Sequence, residues 1–350
     1  MTGPGESTSR ERGVGPSGAG DAGGTAGAER PVGTAGRVLA GLRSRWVRRG
    51  FVVAAVAAAV VAVAIEREAV GQALRQVSWS FVALASALSL LNVLFAALSW
   101  RAVAGGHGVR LGVRDAAVVY LVGQVGKYLP GGVWNLLASA ELGRDRGVGR
   151  RRTVGTLLVG VLLSALVGGL LVLLTLPGVP GTPLATRGWL TLLAPLALLA
   201  MLPPVLDRVL GLFLRVARQP PAAERLDAAA VAVGSLWSLA SWVAIGLQVL
   251  VLAVAVGADP GLPLLRLSVG GYALAWIVGT ALVFLPAGVG AREAVLALAM
   301  APVLDAGGIL VVVLLSRVLL TLGDLGAAGG ALAVQRWWPG GQPVPTSRRR

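Results

Sequence analysis

Long apolar runs, separated by short polar or arginine-rich stretches, dominate the chain, and their lengths predict helices that cross a bilayer. Residues 79–100, 154–176, 231–256 and 309–334 each approach or exceed the roughly 20 residues that a helix needs to span a hydrocarbon core of about 30 Å. These runs are apolar on every side and rich in Ala, Leu and Val. Strands of an outer-membrane barrel would alternate polar and apolar positions in runs of about ten, so the runs read as helices. Residues 51–65 with their flanks read as a short first span, and 189–206 and 265–284 as further crossings.

Two places break the pattern. Leu129-Pro130-Gly131-Gly132-Val133 has a near copy in Leu285-Pro286-Ala287-Gly288-Val289, and each interrupts an apolar segment with helix-breaking residues. Arginines at positions 101, 110 and 114 precede the first of these segments, and a cluster from Arg144 to Arg152 comes after it. Residues 116–141 therefore begin and end on one side, which makes them a re-entrant helical hairpin instead of a span. For 285–302 the same reasoning stays open: a re-entrant segment there would put the end of the last helix outside, whereas Arg336 and Arg348–Arg350 favour the inside. The expected fold is all-α: a polytopic transmembrane helical bundle of about seven or eight spans with one or two re-entrant broken-helix hairpins.

Composition sharpens this picture. Of 350 residues, 55% are apolar and 13% charged, about half the charge that a soluble domain carries. The net charge of +15, from 31 Lys and Arg against 16 Asp and Glu, would suit nucleic acid if it formed one patch. It sits instead in clusters beside the apolar runs, so it reads as a topology signal, with the N-terminus cytoplasmic in a bacterial-type plasma membrane and no nucleic-acid partner. Residues 1–36, rich in Gly, Ala, Ser and Pro, read as a disordered cytoplasmic tail, 37–335 as the membrane domain and 336–350 as a basic C-terminal tail. There is no Cys, His107 is the only histidine, and no G-x-x-x-x-G-K-[ST] occurs. Neither catalytic residues, a metal site nor a cofactor is expected, and direct use of ATP is disfavoured.

Polar groups at membrane depth are costly and tend to be functional or paired. Around the first break lie Gln124, Lys127, Tyr128, Trp134 and Asn135, after the second Arg292 and Glu293, and in the last run Arg317 and Asp324. Together with Pro130, Gly131, Gly132, Pro286 and Gly288 they are the candidate substrate-binding set, since broken helices in two halves can turn backbone amides and cations towards an anionic group. In that reading Lys127 meets a phosphate, Tyr128 and Trp134 sit at an interface or against an acyl glycerol, and Asp324 pairs with Arg292 or Arg317. The alternative is two kinks that shape the bundle, a snorkelling lysine and structural ion pairs. Gly326 and Gly330 form a G-x-x-x-G, read as close helix packing.

From Gly123-Gln124-Val125-Gly126-Lys127-Tyr128-Leu129-Pro130-Gly131-Gly132-Val133-Trp134 through the basic loop to Arg152, the chain resembles the lysylphosphatidylglycerol synthase transmembrane-region family, also called flippase-like. Leu285-Pro286-Ala287-Gly288-Val289-Gly290-Ala291-Arg292-Glu293 is similar to that family's second signature, with Ala287 where a second glycine is usual. In bifunctional members the membrane region resembles a flippase for aminoacylated phospholipids and is followed by a soluble aminoacyl-transferase. Here only a short tail comes after residue 334, so the resemblance implies a non-enzymatic lipid transporter whose substrate is a polar membrane phospholipid, with aminoacylated and lipid-linked forms among the candidates. The competing expectation is a membrane scaffold or subunit for a separately encoded lipid-modifying enzyme, docked on the arginine loops.

Overall fold

The computed structural model describes residues 67–128, 134–216, 225–282 and 290–337. The expected tail 1–36, the first span 51–65, most of the tail 336–350, and Pro130, Gly131, Gly132, Pro286 and Gly288 lie outside the described residues.

Helix α1 (Arg67–Gln76) leads into α2 (Trp79–Gly106). The first arm of a hairpin comes next, made of α3 (Val113–Ala117), a π-helical turn (Val118–Val122), one α-turn (Gly123–Val125) and a 3-10 turn (Gly126–Tyr128); its second arm is α4 (Trp134–Arg144). Then come α5 (Arg150–Thr175), a 3-10 stretch (Gly188–Leu193) running into α6 (Ala194–Ala200), α7 (Pro203–Val216), α8 (Ala228–Ala255), α9 (Leu262–Ala281), α10 (Ala291–Met300) and α11 (Ala306–Trp337). No strand occurs among the described residues. Among the described residues five helices, α2, α5, α8, α9 and α11, are long and apolar enough to cross a membrane. Large apolar side chains such as Leu236, Leu298 and Leu322 face outward, as a lipid-embedded bundle requires, and Trp79, Trp189 and Trp337 are exposed near helix ends.

Contacts fix which helix ends lie together. A Cβ on Gly106 would strike Ala230, one on Gly143 would strike Thr153, and Arg146 Nε pairs with Asp115 at 3.1 Å. The end of α2, the base of the hairpin, and the starts of α5 and α8 therefore share one end of the bundle, which carries Arg144 to Arg152. Glu141 belongs to this end, and its carboxyl is held below the usual carboxylate range by a hydrogen bond from Arg150. At the opposite end Arg266 donates to the backbone oxygens of Thr175 and Pro177 at 2.8 and 2.6 Å, and Gly308 of α11 lies against Val256.

The hairpin over 116–141 has the expected form. A Cβ at Gly126 would lie 2.7 Å from the amide nitrogen of Asn135 and 2.8 Å from the Trp134 oxygen, and one at Gly123 would overlap Ser139. The two arms thus run antiparallel with their backbones in contact, which only glycine permits. Gly126→Val should lower stability by about 2 kcal/mol through overpacking, seen as a reduced unfolding temperature in detergent. Gly326→Ala is the control and should leave that temperature unchanged. Among the described residues the Gly326–Gly330 motif does not close the expected helix contact: added Cβ atoms there meet nothing within 4 Å, and Gly323 is the glycine that abuts α2, at Ser89.

One further expectation changes, and one question left open is answered. The span expected over 189–206 is broken, because Gly188–Ala200 and Pro203–Leu212 meet at 79°. Pro203 and Pro204 cannot continue the preceding helix, and Pro203 keeps Leu202 out of the α region. Within 285–302, left open by the sequence, the described residues 290–302 do not enter from the basic end. Gly271 of α9 lies against Ala299, and Pro302 against Gly181 in the loop after α5, so α10 runs back along α9 to the opposite end. Its ten residues rise about 15 Å, half a bilayer core. Helix α11 then runs the full depth and brings Arg336 to the basic end.

Candidate functional site

A cavity of about 380 Å³ lies inside the bundle, bounded by the first hairpin, α2, α5, α8, α9, α10 and α11. The hairpin rises into it from the basic end, while α9 and α10 reach it from the opposite end. Gln124, Lys127, Tyr128 and Asn135 of the hairpin, Arg292 of α10, and Arg317 and Asp324 of α11 all line it.

Asp324 is the anchor on α11, with 3% of its surface exposed. It accepts from Lys127 Nζ at 2.6 Å and from the Tyr128 hydroxyl at 2.5 Å, so the hairpin tip is clipped to the last helix across 196 residues of sequence. The ion pair the described residues give Asp324 is therefore with Lys127, where Arg292 or Arg317 was expected. Arg317, two turns earlier on the same helix, pairs instead with Glu293, Nε to Oε1 at 3.5 Å. The other oxygen of Glu293 accepts the Gly290 amide at 2.7 Å and so caps α10, while Gly290 at φ +87° takes a turn that favours glycine. Glu293 stands just behind the cavity wall.

Arg292 is different. Its guanidinium lies over the Tyr272 ring, 4.6 Å from the centroid, and donates to the Tyr272 hydroxyl. Among the described residues it makes no ion pair, so its charge faces the cavity with only a neutral ring to orient it. Among the described residues, three cations and one carboxylate line the space. Counting Glu293 as well, the site still carries an excess positive charge at bundle depth, which favours an anionic ligand.

The remaining candidates divide. Trp134 is half exposed at the start of α4 and does not line the cavity. Pro130, Gly131, Gly132, Pro286 and Gly288 lie outside the described residues. His107 lies in the turn that follows α2, buried, with Nδ1 against the Val103 oxygen. Sequence reasoning missed the opposite wall: Asn92, Ser164, Ser238, Ser241, Trp242, Tyr272, Trp276 and Thr280 also line the cavity. Asn92, the lone amide in the run 79–100, was a readable signal. The serines were not, since Ser is common in membrane helices.

The family model described as the lysylphosphatidylglycerol synthase TM region matches residues 50–325. No curated protein matches the chain.

Proposed function

The chain belongs to the lysylphosphatidylglycerol synthase TM region family, and on that premise we propose that it is a lipid transporter that carries the polar head group of a phospholipid across the plasma membrane. The observation that supports this reading is the cationic cavity between segments entering from opposite ends of the bundle. A head group leaving one leaflet brings its phosphate to Arg292, whose charge no described carboxylate offsets. A phosphate can also compete with Asp324 for Lys127, which unclips the hairpin from α11 and exchanges one charge partner for another without exposing a bare cation. The acyl tails stay in lipid throughout, so only the polar portion needs a protein path. No chemistry on the lipid is involved, and the chain acts as a transporter and not as an enzyme.

Sided labelling of head groups in proteoliposomes tests this. The full chain should move an anionic phospholipid between leaflets faster than empty liposomes do. Equal rates for anionic, zwitterionic and aminoacylated lipids, all at the level of empty liposomes, would end the transporter reading and leave docking of a partner enzyme on the arginine loops.

A further inference from the structure

The wall of the cavity facing the cations is neutral, polar and aromatic, and it needs a ligand group of its own kind. Asn92, Ser164 and Ser241 sit close to the midpoints of α2, α5 and α8, so three helices place hydrogen-bonding groups at one depth. The Ser241 hydroxyl donates to Asn92, 2.8 Å from its side-chain oxygen, which leaves the Asn92 amide nitrogen without a partner among the described residues. Ser238, one turn away on α8, is 2% exposed and lines the cavity, and its hydroxyl has no hydrogen-bond partner among the described residues. A buried, unsatisfied hydroxyl costs about 1–3 kcal/mol unless something bonds to it.

Beside these groups stands Trp242, fixed in place by its indole N–H, which donates to the Ser164 backbone oxygen at 3.0 Å. Trp276 meets it edge to face, ring centroids 5.3 Å apart. The donor of Trp242 is thus consumed, and what Trp242 adds to the wall is apolar ring surface. Free amide and hydroxyl groups beside flat apolar rings match a molecule that carries hydroxyls along its edge and C–H bonds on its face. That is a polyol.

We propose that the cavity selects a phospholipid whose phosphodiester bears a polyol, glycerol or a sugar, with the phosphate at Arg292 and the hydroxyls on the Asn92–Ser238–Ser241 wall. The inference rests on the transporter reading for its physiological meaning but is tested by binding alone. A head group ending in an amine is disfavoured, because three cations line the site and its one carboxylate already holds Lys127 and Tyr128. A bare phosphate monoester would satisfy Arg292 and leave the neutral wall unmet.

The test uses the full chain in detergent and short-chain lipids as probes: phosphatidylinositol, phosphatidylglycerol, phosphatidic acid, phosphatidylethanolamine and lysylphosphatidylglycerol, with binding read from tryptophan fluorescence. The two polyol lipids should bind about tenfold tighter than phosphatidic acid, the worth of roughly one net hydrogen bond, and tighter than both amines. Ser238→Ala and Asn92→Leu should remove that preference while phosphatidic acid binds as before. Equal binding of inositol and phosphatidic lipids, tightest binding of an amine lipid, or a uniform loss for every probe in the variants would each overturn the proposal. Polyol-selective binding without movement in liposomes would uphold it and count against transport alone. Movement of lipids without polyol selectivity would do the reverse.

Discussion

Arg292→Ala should reduce lipid translocation by about tenfold to a hundredfold while the protein remains folded. A hydrogen bond to a charged group contributes about 1.5–3 kcal/mol, and Arg292 is the cation in the cavity that pairs with no described carboxylate. Removing it should cost little stability, because its described partner, Tyr272, is a neutral ring and hydroxyl that the cavity can rehydrate. Arg292→Lys should recover only part of the rate, since a lysine keeps the charge but loses the planar, bidentate donor set that grips a phosphate. The measurement is the initial rate of sided labelling of an anionic lipid, with unfolding in detergent followed in parallel. A wild-type rate for the alanine variant would remove Arg292 from the transport path.

The second large effect concerns the clip between the hairpin and α11. Asp324→Asn should destabilise the protein by about 2 kcal/mol. Breaking a fully buried pair costs about 3–5 kcal/mol, but Lys127 keeps 29% of its side chain accessible, so water in the cavity softens the loss. Lys127→Met in the same background should restore most of that stability, since no cation is then left without a counter-charge. The double variant should nevertheless fail to transport, because its hairpin can no longer exchange partners between Asp324 and a phosphate. If the two substitutions simply add, the Lys127–Asp324 contact of 2.6 Å carries no coupling and the clip is incidental. If the double variant transports normally, the exchange step is wrong.

Both experiments turn on pairings that were only half readable in advance. The charged residues stood out against an apolar background, where each polar group is expensive, so Lys127, Arg292, Glu293, Arg317 and Asp324 could be picked without a structure. Which of them pair could not be picked. Spacing suggested Arg317 or Arg292 for Asp324. The folded chain instead delivers Lys127 from a hairpin tip 196 residues before the position of Asp324, when measured from neighbouring Tyr128. The capping of α10 by Glu293 likewise takes one of that residue's oxygens and leaves the other for Arg317.

Local chemistry and solvent were enough to specify helices in place of strands, a membrane environment, the hairpin over 116–141 between two basic flanks, and the family signature around Lys127. Hydropathy and arginine placement act residue by residue, and so survive without any knowledge of packing. Packing in three dimensions set the rest: the break at 79° between Ala200 and Pro203 as a turn of the path, the return of α10 along α9, and the polar wall of Asn92, Ser238 and Ser241. Each of these depends on what lies opposite. A serine at mid-helix is unremarkable in a string of letters, and it becomes part of a cavity wall only when three helices bring such positions to one depth.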